Sequence, residues 1–415
     1  MLNLKNKNSI ETIWAFSTKW LTLILFIWIN IILARSLSVA DFGLWSLFLS
    51  IITVICVLSY FGINNSSKKF VAQYNETENL ENVLTSSLKL RIIFSALFSF
   101  LVFLVAKPLS IILWYPELTG LLLLGIPLVF LSGLVEYLKM VFMGLHKIKY
   151  NFIINTLEYS LKLILIIIFL FFSSHIHSVI QSFIIAMFIT SSVGLYLLYF
   201  NFYKNLKKSD YNFTNDILKY SFPLLFISLG FIVLTEIDTM MIGMFSSIEE
   251  VGIYAVAKQI IINLPHIAIA ITMGTMPIFA KLNKENKKKL NIKLFELLKI
   301  VLLIYIAIMI GILILSPLLI PLVFGNNYIN SVLPLQILSF YSVLVGISVV
   351  LTAALDYTWR AKKRALNISF TIILNIMLNL ILIPKYGAVG ASVATTISFL
   401  PYIILNYIEI LKTFK

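Results

Sequence analysis

Residues 301–321 read VLLIYIAIMIGILILSPLLIP, an apolar run of 21 residues without a charge. At about 1.5 Å of rise per residue, a helix of this length crosses the roughly 30 Å hydrocarbon core of a bilayer. Similar runs recur along the whole chain, and they predict an all-α integral membrane protein with about twelve transmembrane helices. The predicted spans are 12–35, 42–62, 86–107, 118–142, 151–172, 177–202, 217–245, 251–279, 295–321, 331–355, 364–383 and 388–411.

The lysine and arginine residues collect in every second loop between these spans. Seven lysines lie between residues 281 and 299, directly before the run quoted above. Of the 32 basic residues, 26 lie in the even-numbered loops, their flanks or the chain ends. Because cytoplasmic loops carry the excess of Lys and Arg, we expect a multi-pass protein of the cytoplasmic membrane with both termini in the cytoplasm. The net charge of +14 therefore indicates contact with the lipid bilayer and not with nucleic acid.

The composition and the polar residues exclude several classes of protein. Hydrophobic residues make up 60% of the chain and charged residues 12%, which is not the composition of a soluble domain. The one cysteine, Cys56, lies in an apolar span, and no spacing of His, Cys and carboxylates fits a metal site. We therefore expect no metal and no other cofactor. Since the outer loops are short and carry no acid–base pair or nucleophile, a membrane enzyme such as a polyprenyl-dependent glycosyltransferase is disfavoured.

A short motif occurs twice in the chain. Residues 38–45 read SVADFGLW and residues 247–254 read SIEEVGIY, at an offset of 209. In each copy an acid suited to a helix N-terminus precedes a glycine that allows close helix packing, and an aromatic residue suited to the membrane interface follows. The duplication predicts two six-helix lobes, 1–205 and 206–415, around a central cavity. The residues concerned are Asp41, Gly43, Gly252 and Tyr254.

Three stretches resemble the Wzx-like oligosaccharide flippases of the multidrug/oligosaccharidyl-lipid/polysaccharide exporter superfamily. The first, ARSLSVADFGLW at 34–45, is similar to the family's Arg-x-Leu-x-x-x-Asp-Phe-Gly turn and contains Arg35. The resemblance implies a flippase that moves polyprenyl-linked oligosaccharide to the outer leaflet by alternating access. It also implies other polysaccharide-assembly membrane proteins as partners. The remaining similar stretches are SFPL at 221–224, IDTMMIG at 237–243, VGIY at 251–254, FGNNY at 324–328, residues 375–383 and PKYGAVGA at 384–391.

Charged residues inside the first-lobe spans are candidate site residues, because such residues usually meet a partner or a water-filled cavity. Lys19 and Glu158 lie at similar depths, about 10 Å from the cytoplasmic ends of their helices, and Lys162 lies one turn deeper. In one interpretation, Lys19 and Lys162 bind the pyrophosphate or acidic sugars of a substrate headgroup. In the other, Glu158 and Lys162 form a structural ion pair. The polar residues that would line the same path are Asn30 and Asn155.

The remaining intramembrane charges form two groups. Glu236 and Asp238 lie at the same depth from the outer side as Lys258, so Lys258 is expected to pair with one of the two acids. The group is either a structural ion pair or the place where an acid takes up a coupling proton or Na⁺. Glu136 and Lys139 lie near a cytoplasmic helix end, where we expect them to snorkel towards the interface.

Two transport functions are compatible with these features. The first is a lipid-linked oligosaccharide flippase, which needs positive charge for an anionic headgroup. The second is a cation-coupled multidrug or small-molecule antiporter of the related branch, which would favour acidic cavity residues. Lys19 and Lys162 favour the first.

Overall fold

The computed structural model describes residues 7–173, 175–204, 211–273, 287–357 and 361–414. Every regular element in these ranges is helical, which confirms the predicted all-α membrane fold. The other residues include some of the basic loop positions, and those predictions lie outside the described residues.

The chain divides into two compact units. Unit 1 comprises Met1–Leu37 and Phe48–Ile232, and unit 2 comprises Ser38–Leu47 and Val233–Lys415. Unit 2 thus contains both copies of the duplicated motif. The lobe boundary between residues 205 and 206 and the central cavity stay predictions.

The helices are numbered here in chain order. Those of the first half are α1 (Lys7–Ser36), α2 (Val39–Tyr60), α3 (Ile63–Tyr74), α4 (Leu80–Ile112), α5 (Glu117–Leu124), α6 (Ile126–Gly144), α7 (Ile148–Phe172) and α8 (Ile176–Leu198), which continues into a π-helical turn (Tyr199–Tyr203). Those that follow are α9 (Thr214–Phe245), α10 (Ile248–Ile261), α11 (Pro265–Met273), α12 (Lys287–Phe324), a 3-10 turn (Asn326–Ser331), α13 (Val332–Tyr357) and α14 (Ala361–Phe414).

Ten helical segments of the described chain are long and apolar enough to cross a membrane, and an eleventh results if the bent pair Thr214–Gly230 and Ile232–Phe245 counts as one span. The longest segment, Leu366–Lys412, has 47 residues, about 70 Å at the usual rise and more than twice the hydrocarbon thickness. Its backbone leaves helical geometry at Gly387, where φ is 52° and ψ is −128°. The break at Gly387 lies between the last two predicted spans, 364–383 and 388–411.

Helix α3 was not expected, because residues 63–85 read as a loop. It follows α2 after a sharp turn at Gly62, whose φ of 72° favours glycine. A Cβ at Gly62 would overlap the backbone oxygen of Ser221 on α9. The hydroxyl groups of Ser66 and Ser221 are hydrogen bonded at 2.7 Å. Small, hydroxyl-bearing residues therefore let a polar helix pack closely, which a search for long apolar runs does not detect.

Helix α6 lies in the core of unit 1. Its residues Tyr137, Leu138 and Val141 are buried in one apolar cluster with side chains of α3, α4 and α8. Gly194 of α8 lies so close to α6 that a Cβ there would be 2.7 Å from the Leu138 side chain. Close packing of this kind stabilises helix association inside a membrane, where the hydrophobic effect between helices is weak.

In unit 2 the break between α10 and α11 is held by a tyrosine of α12. The hydroxyl of Tyr305 donates to the backbone oxygen of Leu264 at 2.6 Å and accepts from the backbone N–H of Ala268 at 3.3 Å. Pro265 begins α11, because its ring cannot continue the preceding helix. The described part of the eighth predicted span, up to Met273, therefore consists of two helices with a supported break.

Candidate functional site

Both copies of the duplicated motif begin a helix with a serine N-cap. Ser38 Oγ accepts a hydrogen bond from the backbone N–H of Asp41 at 3.0 Å and donates to the Asp41 carboxylate at 2.8 Å. Ser247 Oγ accepts from the backbone N–H of Glu250 at 3.4 Å. Each acid thus lies in the first turn of its helix, where the helix dipole favours negative charge.

The two glycines of the motif bring its two copies into contact. A Cβ on Gly43 would overlap the backbone oxygen of Ile248, and a Cβ on Gly252 would lie 2.5 Å from the backbone oxygen of Val39. Val39 and Ile248 are themselves related by the offset of 209. Each glycine therefore faces the carbonyl four residues before the other glycine, so the contact within unit 2 is reciprocal and locally two-fold symmetric.

The aromatic residues of the motif are not exposed on the surface of the protein. Trp45 and Tyr254 are both buried, and the hydroxyl of Tyr254 donates to Asp238 at 2.8 Å. The tyrosine therefore supplies a hydrogen bond inside unit 2, and the position of the two rings relative to the membrane interface stays a prediction. Arg35 is exposed in the last turn of α1.

Four charges of unit 1 form a continuous network between α6 and α7. Glu158 accepts from Lys162 at 2.5 Å and lies 2.7 Å from Lys139. Lys139 in turn lies 2.5 Å from Glu136. Lys139 is buried and does not snorkel, contrary to the expectation. Because the network contains two acids and two bases, the charge of Lys162 is balanced within the protein.

Lys19 does not belong to this network. It is exposed on α1, and among the described residues its ammonium group makes no ion pair. The side-chain amide of Asn155 donates to two oxygens of Asn151 on the same helix, the backbone oxygen at 2.8 Å and the side-chain oxygen at 3.0 Å. Asn30 is buried and donates to the backbone oxygen of Phe26 at 2.8 Å. Among the described residues, Lys19 therefore forms no ion pair with Glu158.

Arg91 is a buried charged residue that sequence reasoning did not predict, because it was included among the 26 basic residues of the even-numbered loops and their flanks. Its guanidinium donates to Ser95 Oγ at 2.7 and 2.9 Å and to Ser59 Oγ at 3.0 Å, and it lies 5.4 Å from the Tyr60 ring. A Cβ on Gly133 would lie 2.8 Å from the Arg91 guanidinium. Close hydroxyl groups and the absence of a side chain at 133 thus accommodate the arginine in the core of unit 1.

Asp238 is a buried carboxylate bound only by neutral groups in the described part of unit 2. It accepts hydrogen bonds from Tyr254 at 2.8 Å, from Asn379 at 2.6 Å and from Thr395 at 2.5 Å. Asn379 also donates to Asn375 at 3.1 Å. Helices α9, α10 and both halves of α14 therefore meet at one acid. Sequence reasoning named Asp238 and Tyr254 separately and did not predict that they converge with Asn375 and Asn379.

Lys258 pairs with Glu236 and not with Asp238. The Lys258 ammonium lies 2.7 Å from the Glu236 carboxylate and 3.1 Å from the Thr239 hydroxyl. Of the two pairings that the sequence left open, the described residues form the one with Glu236. This pair joins α9 to α10 and leaves Asp238 without a cationic side chain.

The chain matches the family described as polysaccharide biosynthesis protein over residues 10–283, more than half of its length. It belongs to this family. The match confirms the resemblance that the three motif stretches predicted, at the level of a Wzx-like flippase family.

Two relatives are similar in sequence. An uncharacterized membrane protein of Methanocaldococcus jannaschii is 28% identical over 298 residues, which cover 68% of this chain and 70% of the relative. A probable low-salt glycan biosynthesis flippase of Haloferax volcanii is 26% identical over 196 residues, 47% of this chain and 42% of the relative.

Three solved transporters are similar to this chain in fold. An inward-facing multidrug resistance MATE family transporter has a TM-score of 0.79 at 16% identity, over 94% of this chain and 95% of the transporter. The lipid II flippase MurJ has a TM-score of 0.74 at 18% identity, over 98% of this chain and 89% of the flippase. A MOP superfamily transporter from Pyrococcus furiosus has a TM-score of 0.64 at 16% identity, over 99% of this chain and 96% of the transporter. This polysaccharide biosynthesis family member therefore has the fold of both flippases and drug transporters.

Proposed function

We propose that this protein moves a polyprenyl-linked oligosaccharide from the cytoplasmic to the outer leaflet of the cytoplasmic membrane by alternating access. The observation that carries the proposal is the match to the polysaccharide biosynthesis family over residues 10–283. A relative named as a probable glycan biosynthesis flippase and a fold shared with a lipid II flippase support it. Other polysaccharide-assembly membrane proteins are the expected partners.

The proposed headgroup contact rests mainly on Lys19. A pyrophosphate needs an uncompensated positive charge, and Lys162 shares its charge with Glu158 at 2.5 Å. Lys19 has no such neighbour in the described chain and is exposed. Asn30 and Asn155 lie on α1 and α7, which pack together through Trp14 and Phe152 with ring centroids 4.8 Å apart. In this proposal Lys19 binds the anionic group, while the network around Glu158 and Lys162 fixes α7 against α6.

The proposed coupling group is Asp238. A buried carboxylate without a cation is costly in a membrane, and either a proton or Na⁺ would neutralise it. Three neutral side chains from α10 and α14 donate hydrogen bonds to its oxygens, so a change in the charge of Asp238 would alter its contacts with both helices. Glu236 and Lys258 already neutralise each other and act as a structural pair in this proposal. Asp238→Asn should remove the dependence of transport on an imposed ion gradient, and Glu249→Gln, an exposed acid of α10, is the matched control.

A drug antiporter of the related branch is the second candidate. The TM-score of 0.79 to a multidrug transporter favours it as far as fold is concerned. The exposed Lys19, which makes no ion pair in the described chain, favours an anionic substrate. The two candidates differ in the charge of the transported molecule, which a transport assay measures directly.

The experiment reconstitutes the purified protein in proteoliposomes that contain a polyprenyl-pyrophosphate oligosaccharide. An externally added glycan-cleaving enzyme reports how much headgroup is accessible over time, with protein-free vesicles as control. We expect the protected pool to become accessible only when the protein is present. Continued protection under proton and Na⁺ gradients, with several glycans, would contradict the proposed function.

A further inference from the structure

A groove on unit 1 lies between α4 and the π-helical turn that follows α8. Its volume is about 360 Å³, and Thr85, Leu88, Lys89, Ile92, Ile93 and Tyr203 line it. The wall formed by Tyr203 is fixed, because its hydroxyl donates to the Glu81 carboxylate at 2.6 Å and is hydrogen bonded to Thr85 at 3.0 Å. The groove is thus a preformed feature with one charged side chain and a mostly apolar floor.

The position of the groove along α4 indicates its depth in the membrane. Exposed apolar side chains of α4 begin at Ile92 and continue to Ile112. These 20 steps correspond to about 30 Å, the thickness of the hydrocarbon core. Lys89 lies one helical turn before Ile92 and therefore at the level of the lipid phosphates.

The ammonium group of Lys89 is available for a ligand. It is exposed, and no acid lies within ion-pair distance of it among the residues of the described ranges. On the same helix, Ile92 and Ile93 are 43% and 49% exposed and continue directly from it towards the bilayer centre. A cation at phosphate level above an open apolar channel matches the arrangement of a phosphodiester and its acyl chain.

We propose that this groove binds one glycerophospholipid with an anionic headgroup from the adjacent leaflet. The phosphodiester binds Lys89, and the upper part of one acyl chain lies against Leu88, Ile92 and Ile93. The groove extends from Thr85 to Ile93, about 12 Å along the helix, which fits the upper half of an acyl chain and not a whole polyprenyl chain. The positive-inside pattern puts this end of α4 in the leaflet whose surface is negative. The inference does not depend on the proposed transport function.

Native mass spectrometry of the purified full chain tests the inference, with phosphatidylglycerol and phosphatidylcholine as the probes. We expect one phosphatidylglycerol to be retained more tightly than phosphatidylcholine, and Lys89→Ala to weaken that binding by about fivefold, the value of one interfacial lysine. Lys107→Ala, at the other end of α4, is the matched control and should leave the binding unchanged. Equal binding by the wild-type protein and Lys89→Ala would overturn the inference.

A second variant tests the apolar part of the groove separately from the charge of Lys89. Ile92→Trp fills the groove and should release the retained phosphatidylglycerol, whereas Leu104→Trp, on the exposed face more than three turns deeper, should not. A groove that retains polyprenyl phosphate but not phosphatidylglycerol would be a carrier-lipid site, and this result would likewise overturn the inference.

Discussion

Lys19 and Lys139 show how differently a lysine inside a predicted span can be accommodated. Lys139 is buried between Glu136 and Glu158, whereas Lys19 is exposed and unpaired in the described structure. A charge that is already balanced stabilises the protein, while an unbalanced one is available for a substrate. The two lysines should therefore respond differently to substitution.

Lys19→Ala is expected to slow headgroup transport about tenfold or more without changing thermal stability, because it removes a charge-assisted contact to the substrate only. Lys139→Ala is expected to destabilise the protein by roughly 3 kcal/mol, because it leaves Glu158 and Glu136 with fewer partners. Transport rates and detergent melting curves for both variants check this. Normal transport by Lys19→Ala would remove this lysine from the mechanism.

The Glu236–Lys258 pair can be tested by reversing it. Lys258→Glu alone places two acids side by side and should strongly reduce folded protein in the membrane. The double variant Glu236→Lys with Lys258→Glu should recover most of the folded protein, since it restores the ion pair, 2.7 Å in the wild type, with the two charges exchanged. Recovery through Asp238→Lys instead would contradict the pairing described here.

At this scale the sequence identified most of the charged residues but not their partners. Depth along the helices allowed both Asp238 and Glu236 as partners of Lys258, because residues two apart on a helix have nearly the same depth. Which acid faces the lysine depends on helix rotation, which apolar runs do not specify. Arg91 was missed because it lies beside a basic loop in the chain although it is fully buried.

At the scale of elements, the duplicated motif acts through the ends of α2 and α10. Its glycines allow each helix to approach the backbone of the other, and its acids and serines cap both helices. Glu250 has a further partner, because its carboxylate accepts from the backbone N–H of Ala388 at 2.7 Å, next to the break at Gly387. The motif therefore also supports the start of the last helical segment.

Gly43→Ala and Gly252→Ala should each destabilise the protein, because a methyl group at either position meets the backbone oxygen of the facing helix and cannot be relieved by a rotamer change. We expect a loss of at least 1 to 3 kcal/mol, typical of overpacking. Gly311→Ala is the matched control, since it lies inside α12 with open space around it and should be neutral or slightly stabilising. Equal melting temperatures for all three variants would exclude the close contact.

The repeated sequence predicted close helix ends, and the reciprocal contact shows why both copies keep the glycine. Pro265 itself marks a place where a helix can end, but helix α3 and the contact that supports the break at Pro265 could not be predicted in the same way. Polar packing through Ser66 and a supporting hydroxyl from Tyr305 are tertiary contacts, and they leave no periodic signal in the local sequence.

At the scale of the whole molecule, the apolar runs predicted about twelve spans, and ten or eleven candidate spans lie in the described chain, because length and hydropathy alone decide whether a helix can cross a bilayer. The orientation of the chain is a separate matter and rests on the distribution of Lys and Arg. Substrate and coupling ion depend on a few side chains and were beyond the reach of composition.

The orientation can be tested with reporter fusions. Alkaline phosphatase, which is active only outside the cytoplasm, should be active when fused after His175 and inactive when fused after Lys147, because the basic loops stay in the cytoplasm. Fusions of a cytoplasm-active reporter at the same two positions serve as the reciprocal control. The opposite pattern would invert the proposed direction of transport.

The central claim is that the transported molecule is an anionic lipid-linked glycan and not a small cation. One preparation of proteoliposomes, loaded with a polyprenyl-pyrophosphate oligosaccharide and with a fluorescent organic cation, compares the two directly. We predict protein-dependent exposure of the oligosaccharide headgroup at a rate that Lys19→Ala lowers, with no protein-dependent movement of the cation. Movement of the cation without exposure of the headgroup would contradict the flippase account and favour the antiporter.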